Sequence, residues 1–385
     1  MEAGPAPALS TRLLSNSRSV YFSAILAAFV LVTRILCRGT LYYADGPAEI
    51  RSIVAKTYII EPPGYWLFDR IAGLSSNPVL AITVMNILFS TVGVVVFYYA
   101  ACFFTKQINA FLGAIAYSTI FYVWFAGEVH STYATQILFP VATFYLLLRY
   151  DRNRTKWALC LAAFSCAVGA GMRPSDGVFM IPMVLYFAVF RMSRKDALVL
   201  LSLITLLCLC WLLPTWVAFK ERQTGVSGAA SYVGQIATTR SILTGVDRYT
   251  VANVIRYAFP LVFGFWPVLG VAVRNMFRSW KDWRVKAIAL WIVPGSLFFI
   301  LLFIGTTVHL TFLTAAVVLL AVSSPRLMTI TALWNAMIFL ALSPMPSKRM
   351  VVNMINSYAV TYTRNGIKMH YEPTWSHLQQ GEGTK

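Results

Sequence analysis

Charge is scarce in this 385-residue chain: 12% of its residues are Asp, Glu, Lys or Arg, against about 25% in soluble globular domains. Acids are scarcest, at 14 Asp and Glu beside 32 Lys and Arg, a formal net charge of +18. With 58% hydrophobic residues and a mean hydropathy of +0.67, this excludes a soluble enzyme, a disordered chain and a coiled coil. The six cysteines form no C-x-x-C pair, and no Cys/His group has zinc spacing, so a disulfide scaffold and a zinc centre are not indicated. The basic excess has no soluble domain to present it to nucleic acid, so no nucleic-acid partner is expected. Basic residues instead anchor membrane helices and meet anionic lipid. What remains is an all-α protein that crosses a membrane many times.

Eleven apolar runs read as spanning helices: 20–36, 78–104, 110–126, 131–148, 157–171, 177–190, 197–219, 251–273, 287–305, 308–322 and 327–342. A span needs about 20 apolar residues, and the sixth and tenth runs are short. The domain plan is an N-terminal segment 1–19, a multi-pass domain 20–342 and a tail 343–385. The first run follows Arg12 and Arg18 but ends without a small-residue cleavage site, so it reads as an uncleaved anchor. No internal repeat suggests an inverted-repeat transporter.

With the N-terminus in the cytoplasm, the inner loops carry fourteen basic residues: Lys106; Arg149, Arg152, Arg154 and Lys156; Arg191, Arg194 and Lys195; Arg274, Arg278, Lys281, Arg284 and Lys286; and Arg326. The short outer turns carry only Arg173, which sets the expected orientation by the positive-inside rule. Four acids then fall inside and ten outside. Arg34 and Arg256 lie near span ends, where long basic side chains snorkel. Polar chemistry is expected at the outer face.

The outer loop 37–77 holds the strongest candidates. Asp45 reads as an N-cap with Pro47 just inside the helix that follows, an amphipathic helix expected over 48–58. Glu49 lies one turn on. Capping alone explains Asp45 as well as chemistry does, and a helix N-terminus favours acids such as Glu49. Glu61, Pro62, Pro63, Gly64 and Tyr65 then make a rigid break between helices, with Tyr65, Trp66 and Phe68 suited to an interfacial belt. Further on, Glu128 and His130 stand where the third run ends. Gly169, Gly171 and Arg173 lie at the turn after the fifth, and His309 at a late turn.

These residues resemble the GT-C class of integral-membrane glycosyltransferases. The likeness rests on Asp45 and Glu49 in the first loop, the Pro-Pro-Gly-Tyr turn ending at Tyr65, Glu128 with Val129, and the small-residue turn at Arg173. It is similar to the bacterial branch that includes lipopolysaccharide-core transferases, with protein O-mannosyltransferases as more distant members. Two positions depart from that pattern: Glu61 stands where the branch has His, and His130 where it has Tyr. The resemblance covers about 42–186.

The resemblance implies a polyprenyl-phosphate-linked sugar donor and a glycan, lipid or protein acceptor. It implies transfer with inversion on the periplasmic face of a bacterial inner membrane. Asp45 takes the position of the general base, which must reach the acceptor hydroxyl, with Glu49 and Glu128 as further catalytic acids. Glu61, Tyr65, His130, Arg173, Arg240 and His309 are the candidate substrate-binding residues. Arginine suits the leaving phosphate through its planar, permanently charged fork; Arg173 ranks first, and its plain alternative is partnering an acid. The loop 220–250 is a candidate lid. No Asp-x-Asp pair occurs, so no metal-binding nucleotide-sugar site is indicated and no cofactor is expected; a divalent cation stays open, with nothing in the sequence to support it. A transporter or lipid flippase, and a polysaccharide polymerase or ligase, are the alternatives.

Overall fold

The computed structural model describes residues 17–36, 45–54, 56, 65–221, 245, 248–302 and 307–342. Every regular element among them is helical. In chain order these are α1 (Ser17–Leu36), α2 (Asp45–Val54), α3 (Trp66–Ala72), α4 (Pro78–Ala101), α5 (Gln107–Thr119) and α6 (Phe121–Ala126). A 3-10 turn (Thr132–Ala134) precedes α7 (Thr135–Asn153), α8 (Lys156–Met172), α9 (Pro174–Phe190) and α10 (Arg194–Glu221). Then come α11 (Arg248–Arg278), α12 (Trp283–Leu301), a second 3-10 turn (Thr307–Leu310), α13 (Thr311–Ala321) and α14 (Pro325–Leu342).

Each of the eleven apolar runs coincides with helix. Among the described residues, five helices are long and apolar enough to cross a membrane: α1, α4, Arg194–Val217 of α10, Asn253–Arg278 of α11, and α12. α8, α9 and Val308–Ala321 are apolar but shorter. All residues of α13 are buried inside the bundle.

Local chemistry explains the boundaries. Pro78 opens α4, and the Asn77 side chain accepts the Leu80 N–H at 3.1 Å, an N-cap with proline at the first position. The Asp282 carboxylate caps α12 through the Arg284 N–H at 2.9 Å. α7 ends where Arg154 takes a left-handed conformation, φ 53°. Pro267 inside α11 removes the N–H that the Phe263 carbonyl would accept. The Trp334 indole of α14 donates to that carbonyl instead, at 2.8 Å. Neighbouring helices re-satisfy broken backbone in this way within membranes.

The third apolar run does not form one helix. Ile120 adopts φ −52°, ψ 124° and divides it into α5 and α6. Two of the orphaned backbone groups find partners from distant helices. Arg34 Nη2 of α1 donates to the Ser118 carbonyl at 2.8 Å, and Asn335 Oδ1 of α14 accepts the Phe121 N–H at 3.1 Å. Arg34 therefore does not snorkel: it is buried, with its guanidinium 5.0 Å from the centre of the Trp124 ring. A free guanidinium would be costly there; a helix-terminal carbonyl and an aromatic face hold it.

The first loop also differs in detail. Asp45 is the first helical residue of α2 rather than a cap before it, and α2 ends at Val54. Lys56 then turns left-handed, φ 53°, with its N–H on the Ile53 carbonyl. Phe68, expected at the interface, is fully buried with Ile50, Ile53, Ala72 and Ile82. This small apolar cluster seats α2 and α3 on α4 and α8.

Two ends of the bundle differ in character. At one end, Asp151 accepts from Arg191 at 2.9 and 3.1 Å, Asp196 pairs with Lys156, and Asp282 pairs with Arg284 at 2.6 Å. Arg191 also stacks on Trp283 at 4.2 Å. This basic end collects the turns after α7, α9 and α11. The other end collects α2, α3, the turn between α6 and α7, the turn between α8 and α9, and the 3-10 turn Thr307–Leu310. It carries the candidate site.

Candidate functional site

The site end is organised around the chain from Gly127 to Ala134. Asn86 of α4 clamps it, its Nδ2 donating to the Val129 carbonyl at 2.6 Å and the Ser131 carbonyl at 3.3 Å. Gly127 lies against Ser90 and Arg34: a Cβ there would stand 2.5 Å from Ser90 Oγ and 2.7 Å from Arg34 Nε. Only glycine permits so close an approach. Glu128, next in the chain, is buried.

His130 sits on α4. Its Nε2 lies 2.9 Å from Thr83 Oγ1, and Thr83 donates its single hydroxyl proton to the Val79 carbonyl at 2.8 Å. Thr83 must then accept from His130, which places a proton on Nε2.

Arg173, between α8 and α9, is the centre of a second group. It is 3% exposed. Nη1 donates to Thr132 Oγ1 at 2.8 Å and Nη2 to His309 Nδ1 at 2.9 Å. Nε lies 3.6 Å from Asp176 Oδ1, which also accepts from Gln136 Nε2 at 2.8 Å. The guanidinium stacks over Tyr133 at 4.3 Å and Tyr65 at 5.4 Å. Arginine has no acceptor, so His309 Nδ1 must be unprotonated. Burial, and then the Arg173 charge, hold the His309 pKa well below its usual 6.5. His309 is a neutral imidazole, packed against Tyr133 and Phe299.

Thr132 ties the two groups together, since the same turn presents His130 to α4 and Thr132 to Arg173. Of the residues singled out by sequence, Tyr65, Arg173 and His309 meet in one cluster. Glu128 and His130 lie on the adjoining turn. Glu49 is buried on α2, which packs on α3 and α4. The Asp45 side chain, Glu61, Arg240 and most of the loop 220–250 lie outside the described residues. Trp124 is buried beneath Arg34.

Several members escaped sequence reading. Gln136 and Asp176 sit in the first turns of helices that turn apolar directly after them, a polar-in-apolar signal that was available. Asn86 and Ser90, one turn apart on α4, give the same signal. Asp69 is fully buried on α3, and neither carboxyl oxygen has a hydrogen-bond partner among the described residues. No cluster of three or more metal-ligating side chains occurs among the described residues.

Residues 61–217 match the model of the dolichyl-phosphate-mannose-protein mannosyltransferase family. The match bears out the GT-C likeness over that stretch and supports a membrane glycosyltransferase of GT-C type. It spans Tyr65, Glu128, His130 and Arg173, and leaves Asp45 and Glu49 before it and His309 after it. A comparison with curated proteins finds no match.

Proposed function

We propose that this chain transfers a sugar from a polyprenyl-phosphate-linked donor to an acceptor hydroxyl at the site end of the bundle, with inversion. The family match over residues 61–217 carries this reading. The buried polar groups gathered at one end support it, because a transporter places its charges near the membrane midplane. In the proposed orientation, the site end faces the periplasm of a bacterial inner membrane and the basic end faces the cytoplasm.

The chemistry is a single displacement. Asp45, the first residue of α2, takes the acceptor proton as the acceptor oxygen bonds the anomeric carbon. The bond from that carbon to the phosphate oxygen breaks, and the prenyl phosphate leaves as an anion. That group needs charge stabilisation rather than a strong acid. Arg173 supplies it, from a site already framed by Tyr65, Tyr133 and Thr132. His309 orients the guanidinium fork from below. Glu49 and Glu128 position the acceptor hydroxyl, together with Glu61, His130 and Arg240. The acceptor is a glycan, a lipid or a protein hydroxyl.

The test is the product of transfer by purified protein in lipid. An inverted anomeric centre, with transfer abolished in a folded Asp45→Asn variant, is the expected result. Full activity of that variant would remove Asp45 as the base.

A further inference from the structure

We propose that α3 is a cover over Arg173, and that the buried Asp69 carboxyl sets how readily this cover lifts. Tyr65, at the N-terminal end of α3, holds its ring over the Arg173 guanidinium at 5.4 Å. The Tyr65 carbonyl accepts the Asp69 N–H at 2.9 Å, so the two residues sit one helical turn apart on the same face. Asp69 is 0% exposed, and neither carboxyl oxygen has a hydrogen-bond partner among the described residues. A buried acid without a donor resists its own burial. Lifting α3 would hydrate Asp69 and uncover Arg173 in one movement.

Among the described residues, the surroundings contain little to offset this. α2 brings a second acid, Glu49, also buried. α4 has no charged residue along its length. α8 brings the thiols of Cys160 and Cys166, with Lys156 at its far end, and Arg173 follows its last residue. α10 brings the thiols of Cys208 and Cys210, with Arg194, Lys195 and Asp196 at the far end. On α3 itself, Arg70 is exposed over Trp66 at 5.2 Å. The side chains of Arg51, Lys220 and Glu221 lie outside the described residues.

Burial pushes the Asp69 pKa from 3.8 up to about 8. An acid whose closed-state pKa lies above its hydrated value releases its proton on opening. Opening is therefore favoured by rising pH, from about 4 to about 8, and levels off above that. Across that window the open population rises by up to about tenfold per pH unit.

The cover has a function only if Arg173 receives the donor phosphate, so this inference rests on the function proposed above. The test does not need activity. The full-length protein in detergent is treated with phenylglyoxal between pH 5 and 9. Modification of Arg173 is read by mass spectrometry, relative to the exposed Arg154 in the same sample, which cancels the pH dependence of the reagent. The ratio is expected to rise with pH to about 8 and then level in the wild type, and to stay flat in Asp69→Asn and Asp69→Leu. A flat wild-type ratio, or the same rise in all three proteins, would overturn the cover. If the ratio follows Asp69 but a polyprenyl-phosphate sugar gives Arg173 no protection, the cover stands and the phosphate role of Arg173 falls.

Discussion

Replacing Arg173 by Met removes the group on which the site end is built, and the structure sets the size of the effect. The substitution deletes hydrogen bonds to Thr132 and His309 at 2.8 and 2.9 Å, two aromatic stacks, and the 3.6 Å ion pair to Asp176. It leaves Asp176, 1% exposed, with Gln136 and Ser175 as its donors. Breaking a buried pair by removing one partner costs about 3–5 kcal/mol, and that range is expected for Arg173→Met. Arg173→Lys keeps the charge but loses the fork, for about 2 kcal/mol. The decisive comparison is Arg173→Met with Asp176→Asn. Removing the stranded acid should recover about 1–2 kcal/mol of the loss, a coupling of the size that neighbouring networks show. Unfolding in mixed micelles, followed by tryptophan fluorescence, reads all three variants. Arg173→Met within about 0.5 kcal/mol of wild type, or a double variant no better than the single, would refute a buried ionic hub.

Three further outcomes follow from the same geometry. Gly127→Ala forces a methyl against Ser90 and Arg34 and should destabilise the protein by about 1–3 kcal/mol; adding Ser90→Ala should relieve part of it, and equal melting of Gly127→Ala and wild type would contradict the close approach. His309, with a depressed pKa, binds fewer protons folded than unfolded, so its own contribution to stability is fully present above pH about 6.5 and is lost as pH falls below that, by up to about 1.4 kcal/mol per unit. The difference in stability between wild type and His309→Asn should therefore shrink as pH falls below about 6.5, as paired melts between pH 5 and 8 would show. Asn86→Leu strips two carbonyls of their clamp and should cost about 1–3 kcal/mol, with faster hydrogen exchange in peptides covering 127–134 if the turn is what Asn86 holds.

Much of the helical layout was legible because apolar runs bounded by Pro, Asn and Asp mark helices whatever surrounds them. Pro78 and Asp282 open helices where such residues should. The break at Ile120 was not legible, since nothing near it is a helix breaker. It is held by Arg34 and Asn335, residues 84 and 214 positions from the groups they bond. The same long-range pairing made Arg34 look like a snorkelling anchor. The site was half legible: Tyr65, Arg173 and His309 were each singled out, and the structure joins Arg173 to His309 across 136 positions. Thr132, Gln136 and Asp176 were overlooked as partners, because a polar residue at a helix start looks like a cap until its neighbour is known. Asp69 was overlooked because helical periodicity does not reveal a carboxyl that is buried without a donor.

The measurement that bears most directly on the account uses purified protein in lipid with a panel of radiolabelled polyprenyl-phosphate sugars, following release of prenyl phosphate. The account predicts release by the wild type from at least one donor in the presence of acceptor, and none by Asp45→Asn although it still binds that donor. Movement of an intact lipid-linked sugar across the bilayer, with no release and no dependence on Asp45, would contradict a glycosyltransferase and favour a transporter.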